Sequence, residues 1–136
     1  MQNLLSFLYD YFGLELDNEG PVLSINNDLS IYFDISNGVI EIICPLMRVT
    51  NDPELLIQIL KINYYSNVIL STDLDASVIL AIYRIPEESS ESDMLSALEL
   101  IINFAIKFQQ DFFYDKKTIF KNEISDRKYL FHPKNI

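Results

Sequence analysis

The first periodic stretch, Leu4, Leu5, Leu8, Tyr11 and Phe12, has helical spacing, and Gly13 stands where a helix C′ glycine is expected. This predicts an amphipathic helix over 2–12, followed by a turn-rich linker at Asp17-Asn18-Glu19-Gly20-Pro21. Three strand signals come next. Residues 22–25 are short and apolar, and Asn26-Asn27-Asp28 forms a turn. Leu29, Ile31, Phe33 and Ile35 alternate with Ser30, Tyr32 and Asp34, the period of a half-buried strand. Asn37-Gly38 is a hairpin signal, because both turn positions need positive φ. Residues 39–44 then complete a meander that Pro45 is expected to close.

Asp52 suits an N-cap, Pro53 the first helical position and Glu54 the positive end of the helix dipole. The helix predicted over 53–62 carries Leu55, Leu56, Ile57, Ile59, Leu60 and Ile62 around nearly its whole circumference. Such a helix must be buried on more than one side, and in a small chain the second side points to another subunit. A strand over 66–72, a turn at Asp73-Leu74-Asp75 and an apolar strand over 78–83 follow, the last ended by Pro86. That strand is apolar at every position, so both its faces require burial. A polar loop over 87–93 offers Ser90 or Ser92 as the cap of a long helix over 93–114, with Met94, Leu98, Ile101, Ala105, Phe108 and Phe112 as its stripe. The order α-β-β-β-α-β-β-α implies an α+β fold on a twisted antiparallel sheet.

Composition narrows the function classes. The chain has 136 residues, 20 acidic and 10 basic, and 49% are hydrophobic. That is enough apolar matter for one folded domain and excludes disorder for most of the chain. A net charge of −10 argues against nucleic acid and against an anionic membrane surface as partners. One cysteine excludes an internal disulfide framework, and no run approaches the roughly 18 apolar residues of a membrane span. The start, Met1-Gln2-Asn3, lacks the basic region of a signal peptide, so the expected setting is cytosolic. The charge is uneven: residues 1–115 hold 18 acidic and 4 basic groups, whereas 116–136 hold 6 basic and 2 acidic. This splits the chain into a domain at 1–115, net −14, and a basic tail at 116–136, net +4.

Candidate chemistry is sparse. His132 is the single histidine and supplies neither a triad nor a zinc site. Cys44, after Ile42 and Ile43, reads as a small core filler. Asp73 and Asp75 flank a turn, and Glu87, Glu88, Glu91 and Asp93 crowd a loop, yet none has the spacing of a calcium loop. The three glycines make no phosphate-cradling pattern. No catalytic residue, metal site or cofactor is expected, and an acid/base enzyme built on Asp and Glu is the weakest of the readings. What remains is a binding module. The helix 53–62 and the strand 78–83 suggest a homodimer interface through Leu56, Ile59, Leu60, Val78, Leu80 and Ile82, while the first helix and the 22–44 meander offer a groove and an open sheet edge for an extended peptide.

At this level the chain resembles the class I chaperones of type III secretion systems. The resemblance covers about 2–115 and rests on the element order, size and acidity. Its residues are Leu4-Leu5 through Gly13-Leu14, Leu55-Leu56 to Leu60 with Asn63, Asp75, the apolar strand to Ile82, Ile85-Pro86 and the 94–112 helix. It implies a homodimer that binds the N-terminal region of a secreted effector, keeping it extended and secretion-competent without ATP. By position, Leu4, Leu5, Leu8, Phe12, Ile31, Phe33 and Ile35 are its effector-facing candidates, although an amphipathic helix and an alternating strand must each also bury one face. The basic tail is no requirement of the family, and three fates stay open for it: disorder, folding onto the acidic body, or contact with the export machinery. A regulatory or scaffolding homodimer of the same shape, without a secretion role, is the alternative.

Overall fold

The computed structural model describes residues 10, 15–17, 20–25 and 29–112. Of the helix expected over 2–12 only Asp10 falls within them, and the basic tail lies outside them. The described elements are β1 (Glu15–Asp17), β2 (Gly20–Ile25), β3 (Leu29–Ser36), β4 (Val39–Arg48), α1 (Pro53–Tyr65), β5 (Ile69–Thr72), β6 (Val78–Pro86) and α2 (Glu91–Phe112). The strands form one antiparallel sheet in the order β1-β2-β3-β4-β6-β5. The α+β class holds. The element order differs from the expected one by an added strand, because Asp17 pairs with Gly20 and turns part of the expected linker into a hairpin. Three residues, two of them acidic, carry too short a pattern to announce β1.

The local signals act as expected at several points. Asn37 and Gly38 have φ of 55° and 79°, the positive values that join β3 to β4. Asp52 caps α1, its side chain accepting from the Glu54 N–H at 3.1 Å, and Pro53 sits at the start. Ser90 caps α2, its hydroxyl accepting from the Asp93 N–H at 3.1 Å. Pro45, by contrast, does not end β4. The register shifts between Pro45 and Met47, so the proline sits at a bulge, where a missing N–H costs little, and the strand runs on to Arg48. The strand expected from residue 66 begins at Ile69, since Ser66 caps α1 and its hydroxyl takes the Val68 N–H at 3.0 Å.

The main core lies between one sheet face and the helices. Ile40, Ile42, Cys44, Leu46, Met94, Ile101 and Ala105 are fully enclosed there, with Ile31, Phe33 and Phe108 beside them. The other sheet face is apolar too: Val22, Tyr32, Ile43, Val78, Leu80 and Ile82 form a second buried cluster. Strand β3 is therefore not half-exposed as its alternation suggests, because Tyr32 pairs with Ile43 and is buried on the side expected to face water. Both faces of β6 are buried from Val78 to Ile82, as a fully apolar strand requires.

The β5–β6 hairpin closes on Asp73. Its Oδ1 accepts from the Ser77 N–H at 2.7 Å and the Val78 N–H at 3.2 Å, while Oδ2 is buried without a hydrogen-bond partner. Asp73→Ala leaves both N–H groups short of an acceptor and is expected to lower stability by about 2–3 kcal/mol in urea unfolding. Asp73→Asn keeps one acceptor oxygen and removes the buried charge, so its loss is expected to be less than half as large.

Candidate protein-interaction surface

Helix α1 is apolar all round in sequence but is covered on one side only. Ile59 is buried in the main core, and Leu55 and Ile62 pack against it. On the opposite side Ile57, Leu60 and Tyr64, spaced i, i+3 and i+7, are 52%, 64% and 94% exposed. Tyr65 is 75% exposed at the end of the same helix, and Ile69 of β5, whose partner Ile82 lies on the reverse face of the sheet, is 42% exposed. A contiguous apolar patch of this kind marks an interaction site.

The backbone beside the patch is less available than its place in the sheet implies. β5 is an outermost strand, paired to β6 alone, and would ordinarily present free N–H and C=O groups. Asn63, on α1, takes both groups of Leu70: its Oδ1 accepts from the Leu70 N–H at 2.7 Å, and its Nδ2 donates to the Leu70 carbonyl at 3.0 Å. The side-chain amide thus mimics one residue of a missing strand. An added strand cannot pair at the middle of β5 without displacing Asn63, so association at this end must use side chains.

The residues singled out from sequence fall into distinct places. Of the six assigned to a dimer interface, Leu60 is widely exposed and Leu56 half-buried. Ile59 is part of the main core, while Val78, Leu80 and Ile82 fill the second cluster, because β6 lies inside the sheet between β4 and β5. Among the effector-facing candidates, Ile31 and Phe33 are buried in the main core and Ile35 packs partly exposed against it. Leu4, Leu5, Leu8 and Phe12 lie outside the described residues, as does His132. Ile57, Tyr64, Tyr65, Ile69 and Asn63 were not singled out as contact residues. A helical wheel separates Ile57, Leu60 and Tyr64 from Leu55, Ile59 and Ile62, so that signal was available; the reach of Asn63 to β5 needed the fold.

Cys44 is wholly buried, and desolvation pushes its thiol up to about 12, far from a nucleophile's range. Among the described residues no cluster of His, Cys, Asp and Glu could hold a metal ion, and no helix is long and apolar enough to cross a membrane.

Comparison with known proteins agrees with a surface built for protein contact. The type III secretion chaperone domain matches residues 3–113. The chain is 36% identical over 103 residues to the chaperone protein SigE of Salmonella typhi, which covers 76% of this chain and 91% of that one. The Salmonella typhimurium SigE gives the same identity and coverage. The fold is shared with chains in the ExsC–ExsE complex, at a TM-score of 0.66 and 14% identity over 81% of this chain and 90% of the other. It is shared with the HopA1–SchA chaperone–effector complex at 0.62 and 17%, covering 80% and 92%. The Yersinia pestis secretion chaperone SycH, in complex with a fragment of YscM2, follows at 0.58 and 17%, covering 77% and 96%.

Asn63→Ala is expected to lower stability by about 1–3 kcal/mol, since it unpairs two backbone groups of β5. Hydrogen exchange at the Leu70 amide is expected to accelerate more than exchange in the centre of β4, which separates a local opening from a global one.

Proposed function

Because the chain belongs to the type III secretion chaperone family, we propose that this non-enzymatic chaperone works as a homodimer and binds the N-terminal chaperone-binding region of a secreted effector. It holds that segment extended and secretion-competent in the bacterial cytoplasm, without ATP. The observation that carries the reading is the uncovered apolar face of α1, set beside a sheet edge already closed by Asn63. A second copy meeting that face through Leu56, Ile57, Leu60 and Tyr64 gives an isologous interface. Ile59, Val78, Leu80 and Ile82 support it from within by fixing α1 and β6 on the core. The effector segment is assigned to Leu4, Leu5, Leu8, Phe12 and Ile35, with Ile31 and Phe33 in the core that Ile35 packs against.

The complexes formed by the fold relatives support binding of a protein partner, though not any particular contact residue: SchA with the effector HopA1, ExsC with ExsE and SycH with a fragment of YscM2. The net charge of −14 over residues 1–115 keeps such a surface from self-aggregating while leaving apolar contact open to a chosen partner.

Two measurements test the reading. Leu60→Asp with Tyr64→Asp is expected to turn a dimer into a monomer by size exclusion with light scattering at micromolar concentration. Far-UV circular dichroism should be retained, since both side chains are exposed; a native chain that is already monomeric overturns the homodimer. Pull-down from the native host is expected to retrieve a secreted protein whose captured region is its N-terminal segment, and Leu5→Asp with Leu8→Asp to reduce capture at least tenfold. Capture of a non-secreted regulator alone would favour the scaffolding alternative.

A further inference from the structure

A groove runs along one flank of α2 and meets α1 at Ile62 and Tyr65, leaving Ile57 and Leu60 outside it. Near the start of α2 it lies between Tyr83, Pro86 and the helix residues Asp93, Ser96 and Leu100. Leu100 continues it to Asn103, Phe104 and Lys107, opposite Ser66, Asn67 and Val68. Phe104 and Lys107 carry it on to Asp111 and Phe112, opposite Ile62 and Tyr65. Consecutive stretches share wall residues, so this is one channel. From Asp93 to Phe112 it is about 28 Å long at 1.5 Å per helical residue.

We propose that the occupant of this channel is the chain's own basic tail, residues 116–136. Three observations carry the assignment. The described chain ends at Phe112, itself a wall of the channel, so the segment that follows starts there. The tail carries a net +4 against −14 for the rest of the chain; of the two carboxylates on the channel wall, Asp93 stands near one end and Asp111, near the other, is paired with Lys107 at 3.2 Å. Its apolar residues form two clusters, Ile119-Phe120 and Tyr129-Leu130-Phe131, separated by a charged stretch from Lys121 to Lys128. Phe120 and Leu130 are ten residues apart, or about 33 Å in an extended chain, which matches the span of the channel. The tail also falls outside the matched family domain, which ends at residue 113. It is thus an internal ligand that this chain adds to a chaperone body, recognised by two apolar anchors and a basic link between them.

Photo-crosslinking in the full-length protein tests this. A benzoyl-phenylalanine is placed at Phe120 and, in a second preparation, at Phe131; light and isotope-labelled chains are refolded together, illuminated and mapped by mass spectrometry. Links are expected to peptides spanning 96–112 and 62–68, within chains of one isotope. Leu100→Lys, which puts a like charge on a partly exposed wall position, is expected to reduce their yield at least fivefold with circular dichroism unchanged, as is 0.5 M NaCl. Leu74→Lys, at the exposed turn between β5 and β6, should leave the yield as it was. Mixed-isotope links, meaning the tail of a second copy, overturn the proposal. So do links to residues 57–60 of α1, links indifferent to Leu100→Lys, or no links at all, as a foreign protein in the channel would give.

Discussion

The antiparallel ladder between β4 and β6 is the contact on which the rest of the molecule is built. It runs from the Val39–Pro86 pair to Arg48–Val78 and joins residues some thirty to fifty positions apart in the chain. On its far sides β4 carries the meander and β6 carries β5, so losing it separates the sheet into a four-stranded meander and a two-stranded hairpin, the second too small to be stable alone. Its inner pairs, Ile40–Ile85, Ile42–Tyr83 and Cys44–Ala81, form the platform on which α2 packs. Each pair must be closed against loop entropy, and only apolar burial along both faces returns enough free energy to do so.

The bulge at Pro45 makes that platform continuous. Side chains alternate along a strand, so a regular β4 would turn Met47 away from the face that holds Ile40, Ile42 and Cys44. The register shift between Pro45 and Met47 gives both Leu46 and Met47 to the main core, with Met47 opposite Ile79. On the reverse face the same ladder aligns Ile43 with Ile82, and Tyr32 and Ile69 extend the row across neighbouring strands. Polar residues on that face gather toward the other end of the ladder, where Arg84 meets Glu41 at 2.7 Å. Being partly exposed, that pair contributes at most about 1 kcal/mol and acts more on register than on stability.

How much of this was legible depended on whether the signal was local. Asn37-Gly38, Asp52-Pro53 and Ser90 fix their turn and helix starts through neighbours a few residues away; the first two could be read directly, and the third was narrowed to Ser90 or Ser92. The long stripe of α2 was equally plain. Pro45 misled because its cost depends on whether its N–H would have faced a partner, and the bulge that removes that cost is a property of the pair β4–β6. Tyr32 misled for the same reason: alternation reveals that one face is apolar, not that the other is covered. At the candidate surface, the apolar circumference of α1 correctly marked a helix with a face to spare, but the core claimed Ile59 and left Leu60, Ile57 and Tyr64. The clamp of Asn63 on Leu70 spans only seven residues, yet an amide in a helix's last turn has many possible partners until β5 is in place.

The closed edge and the open face together decide what kind of association the α1 end can support. With Asn63 holding Leu70, no backbone ladder is on offer, so contact must be driven by side-chain burial. Covering Ile57, Leu60 and Tyr64 on one chain yields about 1.5–3 kcal/mol for each side chain fully buried, and less for these partly exposed ones. Association costs about 4–15 kcal/mol in lost translation, rotation and ordering. One such patch against a neutral surface barely breaks even. A two-fold arrangement buries the patch twice for a single association cost, which lifts the balance clear of it. The same apolar area that would be a weak docking site for an unrelated protein is thus an adequate one for its own copy.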